Sequence, residues 1–422
     1  MIKDIILKQK NEKNKLLAQN YIPREKINNR ENLVNNDLIK VITGPRRAGK
    51  STFSLLLFKD KEFAYINFDD ENLVKIDNYD ELLKEIFTVY GETKYLLFDE
   101  IQNIPNWELF INRLHRQGYN ILLTGSNAKL LSKELSTYLT GRHIPIEILP
   151  FNFKEFLAAR QFSFSMDELN LPEIKGKLLN YLESFIINGG FPELVVKYIN
   201  PKGYLDTLLD SILFKDIVNR YKIRFPQKIY DLEIYILNNF ASELSFRKLC
   251  NRLGFNSVVT LEKYLCYLEE AYLAFILNRY SHKTHERISS PKKIYIVDNG
   301  YITVKAIQFS NNSGKLMENF VFTELIKKGF KPNHDLFYYK TRNNKEVDFI
   351  TRQNIETKAL IQVVYQVNET STKEREIKAL VEASEELKCN NMIILTWDYY
   401  EQKKIDEKVI NFIPLWKWLL EF

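Results

Sequence analysis

Cysteine, histidine and glycine are scarce in this chain, and it has no long apolar run. The three cysteines, Cys250, Cys266 and Cys389, are far apart and form no Cys-x-x-Cys pair, which excludes a disulfide framework and leaves reduced core thiols as the expectation. The five histidines (His115, His143, His282, His285 and His334) make no His-Glu-x-x-His or comparable set, so a structural zinc site is not expected. No apolar stretch approaches the length of a membrane span, and the start, Met1-Ile-Lys-Asp-Ile-Ile-Leu-Lys, lacks the apolar core and small-residue cleavage site of a signal peptide. A cytoplasmic protein with no membrane partner is expected. Neither charge sign dominates: 60 basic against 54 acidic residues leave +6, and residues 1–40 hold nine basic and five acidic side chains. That bias permits a nucleic-acid partner such as DNA without requiring one. The 422 residues suffice for two or three domains, each with its own core.

With only 14 glycines in the chain, the pair in Gly44-Pro45-Arg46-Arg47-Ala48-Gly49-Lys50-Ser51 stands out. The β-branched run Leu38 to Ile42 precedes it, and Thr52 to Leu57 continue as an apolar helix face. Strand, glycine loop and helix are the context of a phosphate-binding loop, in which successive amides and a helix N-terminus face an anion. Lys50 would reach the β- and γ-phosphates of ATP, and the Ser51 hydroxyl would ligate Mg2+. Gly44 to Thr52 are the expected nucleotide-binding residues.

Two further strands carry polar tips. Lys94-Tyr-Leu-Leu-Phe-Asp-Glu100 reads as a buried parallel strand closing on two carboxylates, where Asp99 would hold the metal and Glu100 would polarise the attacking water. Asn120-Ile-Leu-Leu-Thr-Gly-Ser126 reads as a third buried strand, whose Thr124 or Ser126 would sense the γ-phosphate or simply end the strand in a turn. Phe63 to Phe68 reads as an alternating strand. A helix is expected up to Leu139, and Arg142 is a candidate for the cation that stabilises charge developing in phosphoryl transfer.

These motifs, with Ile101-Gln102, Leu139-Thr-Gly-Arg142, Pro150-Phe-Asn-Phe-Lys-Glu-Phe156, Asn188-Gly-Gly-Phe-Pro-Glu193 and Phe214-Lys-Asp-Ile-Val-Asn-Arg-Tyr221, resemble the AAA-type P-loop ATPases of archaea and bacteria that carry a C-terminal domain of unknown function. The resemblance covers nearly the whole chain. It implies an α/β protein: a P-loop NTPase with a parallel sheet, a helical lid that turns hydrolysis into domain motion, and a restriction-endonuclease-like α/β domain at the end.

Between lid and end, Phe246 to Leu253, Gly254-Phe255-Asn256 and Ser257 to Ala271 read as helix, turn and helix, followed by the β-like Leu273 to Leu277, the order of a winged helix. Asn256, Ser257, Thr260 and Lys263 would lie near the exposed start of the second helix, where DNA binding and protein packing are both open. In the last domain Glu318 or Glu324 and Asp348 match two of the carboxylates that a metal-dependent nuclease of that fold needs. The third element, acid-x-Lys, does not match: Gln362 and Val364 stand there, and Lys340 or Lys358 would have to substitute. The domain is expected to be inactive. The expected division is an arm over 1–32, the ATPase core over 33–150, the lid over 151–235, the winged-helix-like part over 236–312 and the nuclease-like part over 313–422. A Mg2+-dependent ATPase, in which Arg142 would complete the site of its own subunit or, in a homo-oligomer, of an adjacent one, is the leading expectation; a nucleotide-gated DNA-binding switch and an ATP-driven nuclease are the alternatives.

Overall fold

The computed structural model describes residues 2–125, 141–306, 313–367 and 370–421. The expected helix up to Leu139 and Ser126 lie outside the described residues. The chain separates into two compact units, residues 1–151 with 270–272, and residues 152–269 with 273–422.

The first unit is a five-stranded sheet, β1 (Ile39–Thr43), β2 (Phe63–Asn67), β3 (Tyr95–Asp99), β4 (Asn120–Thr124) and β5 (His143–Glu147), in the order β2-β3-β4-β1-β5. Every pairing is parallel, so all five strands end at one edge of the sheet. Apolar residues cover both faces, as a parallel sheet requires. Val41, Ile66, Phe98 and Leu123 pack on one side with Phe110 and Ile86, while Ile42, Tyr65, Leu97 and Leu122 pack on the other with Phe53 and Leu57. This two-sided burial replaces the alternation expected of β2, whose first four residues are all buried. The amphipathic N-terminal helix, Ile2–Leu17, lies along β2, an edge strand. Gln9 donates to Asn67 O at 2.9 Å and accepts from Asn67 N at 3.0 Å, and Lys13 Nζ donates to Phe63 O at 3.0 Å. Side chains thereby cover backbone groups that would otherwise invite another strand.

The second unit begins with helices, among them Phe153–Ala159, Pro172–Asn188 and Pro226–Asn238. The expected helix, turn and helix follow as Phe246–Arg252 and Val258–Glu270. With them goes an antiparallel sheet of β6 (Ser242–Leu244), β7 (Ala274–Asn278) and β8 (Lys292–Ile296), in the order β6-β8-β7. The helix Ser313–Lys327 leads to β9 (Leu336–Lys340), β10 (Glu346–Gln353), β11 (Glu356–Val364), β12 (Met392–Thr396), β13 (Glu401–Ile405) and β14 (Lys408–Pro414). These form a mixed sheet in the order β13-β14-β12-β11-β10-β9. The polar sequence of β13, Glu-Gln-Lys-Lys-Ile, suits a half-exposed edge.

The helix Pro172–Asn188 ends at Gly189-Gly190 for a structural reason. The buried Asp298 carboxylate accepts from Gly190 N at 2.8 Å and Gly300 N at 2.9 Å, and a Cβ on Gly189 would stand 1.7 Å from its Oδ1.

Candidate functional site

Strand order determines which tips meet. Because β4 lies between β1 and β3, the loop after β1 and the acidic end of β3 flank the tip of β4. The loop is bent by three residues in the left-handed region, Gly44 (φ +143°), Arg47 (φ +63°) and Gly49 (φ +91°). At Gly44 a side chain is impossible: its Cβ would lie 2.0 Å from the Ile148 carbonyl oxygen. Gly44→Ala is therefore expected to cost more than about 2 kcal/mol of stability and to abolish nucleotide binding. Gly176→Ala, in a helix with nothing within 4 Å of the new Cβ, is the control, expected to leave nucleotide binding unchanged and to raise stability by about 0.5–1 kcal/mol. Thermal melts and nucleotide titration of both variants check this.

The helix Lys50–Phe58 opens directly from the loop. Lys50 is buried, and its Nζ donates to Gly44 O at 3.0 Å and Pro45 O at 2.9 Å, so the ammonium sits within the curve of the loop. Pro45 and Ala48 are buried, Arg46, Gly49, Ser51 and Thr52 half-buried, and Arg47 exposed.

Asp99 is the centre of the site. Its Oδ1 accepts from Ser51 Oγ at 3.1 Å and from Thr124 Oγ1, and its Oδ2 accepts from the Tyr65 hydroxyl at 3.2 Å. Three elements thus converge on one carboxylate. Burial pushes the Asp99 carboxyl up to about 6, Glu100 adds to the rise, and the hydroxyl donors oppose it. Thr124 also accepts from the Glu100 amide at 3.0 Å. It is committed to orienting the acidic pair, a more specific place than a generic strand tip. Glu100 itself stands in the left-handed region (φ +52°, ψ +44°), an unfavourable conformation for a residue with a side chain, and Gln102 Nε2 donates to its carboxylate.

Arg142 is not brought to this site. Its carbonyl accepts from Ile39 N at 3.0 Å, which places it where β1 and β5 begin, exposed, while the loop follows the end of β1. The length of a five-residue strand, roughly 16 Å, separates the two edges.

Sequence reasoning overlooked Tyr65, Gln102 and Tyr272. Tyr65 sits inside an ordinary apolar strand. The role of Gln102 depends on the left-handed turn at Glu100. Tyr272, which belongs to the first unit, donates to Thr43 Oγ1 at 3.1 Å from 229 positions away, and no local signal marks it.

Ser51 and Asp99 place two hard oxygen donors side by side at the mouth of an anion-binding loop, which fits magnesium, a cation that takes one or two protein oxygens and completes its shell with phosphate and water. Among the described residues no helix is long and apolar enough to cross a membrane.

Known proteins resemble the chain along its length. An AAA domain matches residues 36–157, a domain of unknown function (DUF8612) residues 179–312, and a second (DUF4143) residues 313–418. The uncharacterized protein MJ1544 of Methanocaldococcus jannaschii is 43% identical over 91% of this chain and 88% of its own. An uncharacterized protein of Haemophilus influenzae is 31% identical over 91% of this chain and 95% of its own. Among solved structures, the Walker-type ATPase PABY2304 of Pyrococcus abyssi is similar over 68% of this chain and 99% of that one, at 15% identity and a TM-score of 0.42.

Proposed function

Because the chain belongs to the family of these archaeal and bacterial proteins, which join an AAA-type P-loop ATPase fold to two C-terminal domains, we propose that it binds and hydrolyses ATP to drive its C-terminal half. One observation carries the reading: the loop residue Ser51 and the strand residue Asp99 lie 3.1 Å apart, so phosphate-binding and acidic groups form one site. In this reading the loop amides and Lys50 hold the phosphates, and Ser51 and Asp99 hold magnesium. Magnesium, when bound, neutralises charge on the phosphate oxygens. Glu100, held by Gln102 and by the hydrogen bond from its backbone N–H to Thr124 Oγ1, orients and polarises the attacking water. Arg142, exposed at the opposite edge of the sheet, is assigned to a neighbouring subunit's site in a homo-oligomer. The domain division is taken as the five segments given above, with the lid, the winged-helix-like part and the nuclease-like part as the moved elements.

Purified chain is expected to release phosphate from ATP with magnesium and to stop in EDTA. Equal rates in both, or none in either, would overturn the proposal.

One observation favours action on DNA. Arg247, Lys248, Arg252 and Lys263 are all exposed on the two helices of the winged-helix-like part, with Asn256 and Ser257 between them. Affinity for duplex DNA is expected to fall steeply with salt and to differ between ATP and ADP. Salt-dependent binding with no nucleotide dependence would leave DNA contact but remove the gating.

A further inference from the structure

On β11 the nuclease-like domain has Val364 where the acid-x-Lys lysine belongs, yet a lysine reaches its carboxylates from another strand. Glu318, on the helix Ser313–Lys327, and Asp348, on β10, come together as the sequence suggested, and Glu346 joins them. Between them lies the ammonium of Lys293, from β8, the central strand of the small antiparallel sheet. Lys293 Nζ is 2.6 Å from Glu346 Oε1, 2.9 Å from Glu318 Oε1 and 3.4 Å from Asp348 Oδ1. The residue is 2% exposed, so water and a polynucleotide are both kept from it.

The rest of the cluster is built around that arrangement. Tyr295 lies two residues along β8, hence on the same face, and its hydroxyl donates to Glu318 Oε1 at 2.7 Å. The second Asp348 oxygen accepts from Val363 N at 3.0 Å, and Gln362 Oε1 accepts from Asp348 N at 3.2 Å while its Nε2 donates to Glu376. Gln362 is therefore used in holding two elements together and has no oxygen turned to a metal. Val364 packs with Leu360 and Leu380 in the core, where an ammonium has no place. Of the two lysines considered from sequence, Lys340 pairs with Glu243 at 2.7 Å and stands 3.7 Å from Glu346 Oε2, at the rim of the cluster, while Lys358 pairs with Glu356 at 2.6 Å.

We propose that the Lys293 ammonium occupies the place of the divalent cation in this carboxylate set, a built-in cation that makes the cluster metal-independent and locks β8 to the nuclease-like sheet. An ammonium offers three donors and one positive charge, enough to satisfy a ring of carboxylate oxygens that a hard metal would otherwise gather. Removing one partner from a buried ionic cluster leaves the others uncompensated, so the lysine is also a strong structural requirement. The domain is then a joint, and the ATPase reading is not needed for this conclusion.

The test uses the full-length chain without nucleotide, with manganese alone as probe, followed by thermal melting and by the electron paramagnetic resonance of free Mn2+. Wild type and Asp348→Asn are expected to bind the same amount of manganese. Lys293→Met is expected to melt several degrees lower in EDTA, to gain one manganese site, and to recover stability at millimolar manganese. Adding Asp348→Asn should remove both the site and the recovery. Manganese bound by wild type and lost in Asp348→Asn would overturn the proposal, as would a Lys293→Met variant that gains no manganese site. If Lys293→Met does not fold, the charge-matched Lys293→Met/Glu318→Gln pair decides: a folded pair supports charge compensation by the lysine, and an unfolded one overturns it.

Discussion

Glu100→Gln is expected to bind ATP as tightly as wild type while losing phosphate release by a factor of about 10² to 10⁴, the usual worth of a positioned base. Glutamine keeps the shape of the side chain and removes the carboxylate that polarises water. Lys50→Ala should lose turnover to a similar extent together with affinity, because its ammonium sits inside the loop, 3.0 Å from Gly44 O and 2.9 Å from Pro45 O. The two variants therefore separate under one pair of measurements, nucleotide titration and steady-state phosphate release. Undiminished hydrolysis in either would sink the assignment of that residue. Loss of binding in Glu100→Gln would make the carboxylate a structural support of the left-handed turn it occupies.

The second large effect concerns stability against pH. Glu233, on the helix Pro226–Asn238, is 2% exposed, and among the described residues neither carboxylate oxygen has a hydrogen-bond partner. Burial pushes its carboxyl up to about 7, with Asp210 and Asp206 adding to the rise and Lys305 opposing it. The unfolded chain holds this proton only below about 4.5, so between about 4.5 and 7 the folded state binds more protons than the unfolded. Stability from this group is thus present at low pH and lost as pH rises through 7, a change of up to about 3 kcal/mol. Glu233→Gln removes the ionisation. It is expected to melt several degrees above wild type at pH 8 and close to it at pH 5. Asp298, pushed up to about 6 chiefly by burial, contributes in the same direction, but it is present in both proteins and cancels in the difference. Parallel melting curves of the two proteins across this range would show that Glu233 does not titrate there.

What the sequence by itself determined is local. The bend of the Gly44 to Ser51 loop depends on consecutive residues, and so does the acidic pair at the end of an apolar strand, so motif and flanking periodicity were enough to place Lys50, Ser51, Asp99 and Glu100. The helix, turn and helix from Phe246 to Glu270 were legible for the same reason. Only the tertiary structure decided the rest. Parallel strands do not announce their neighbours, so it took the order β2-β3-β4-β1-β5 to bind Thr124 to the acidic pair and to leave Arg142 at the opposite edge. A buried charge is compensated by whatever packing brings near, and no spacing rule links Lys293 to Asp348 or Asp298 to Gly190. Those contacts join segments 55 and 108 positions apart, where the free energy of burying a charge, and not any local preference, selects the partner.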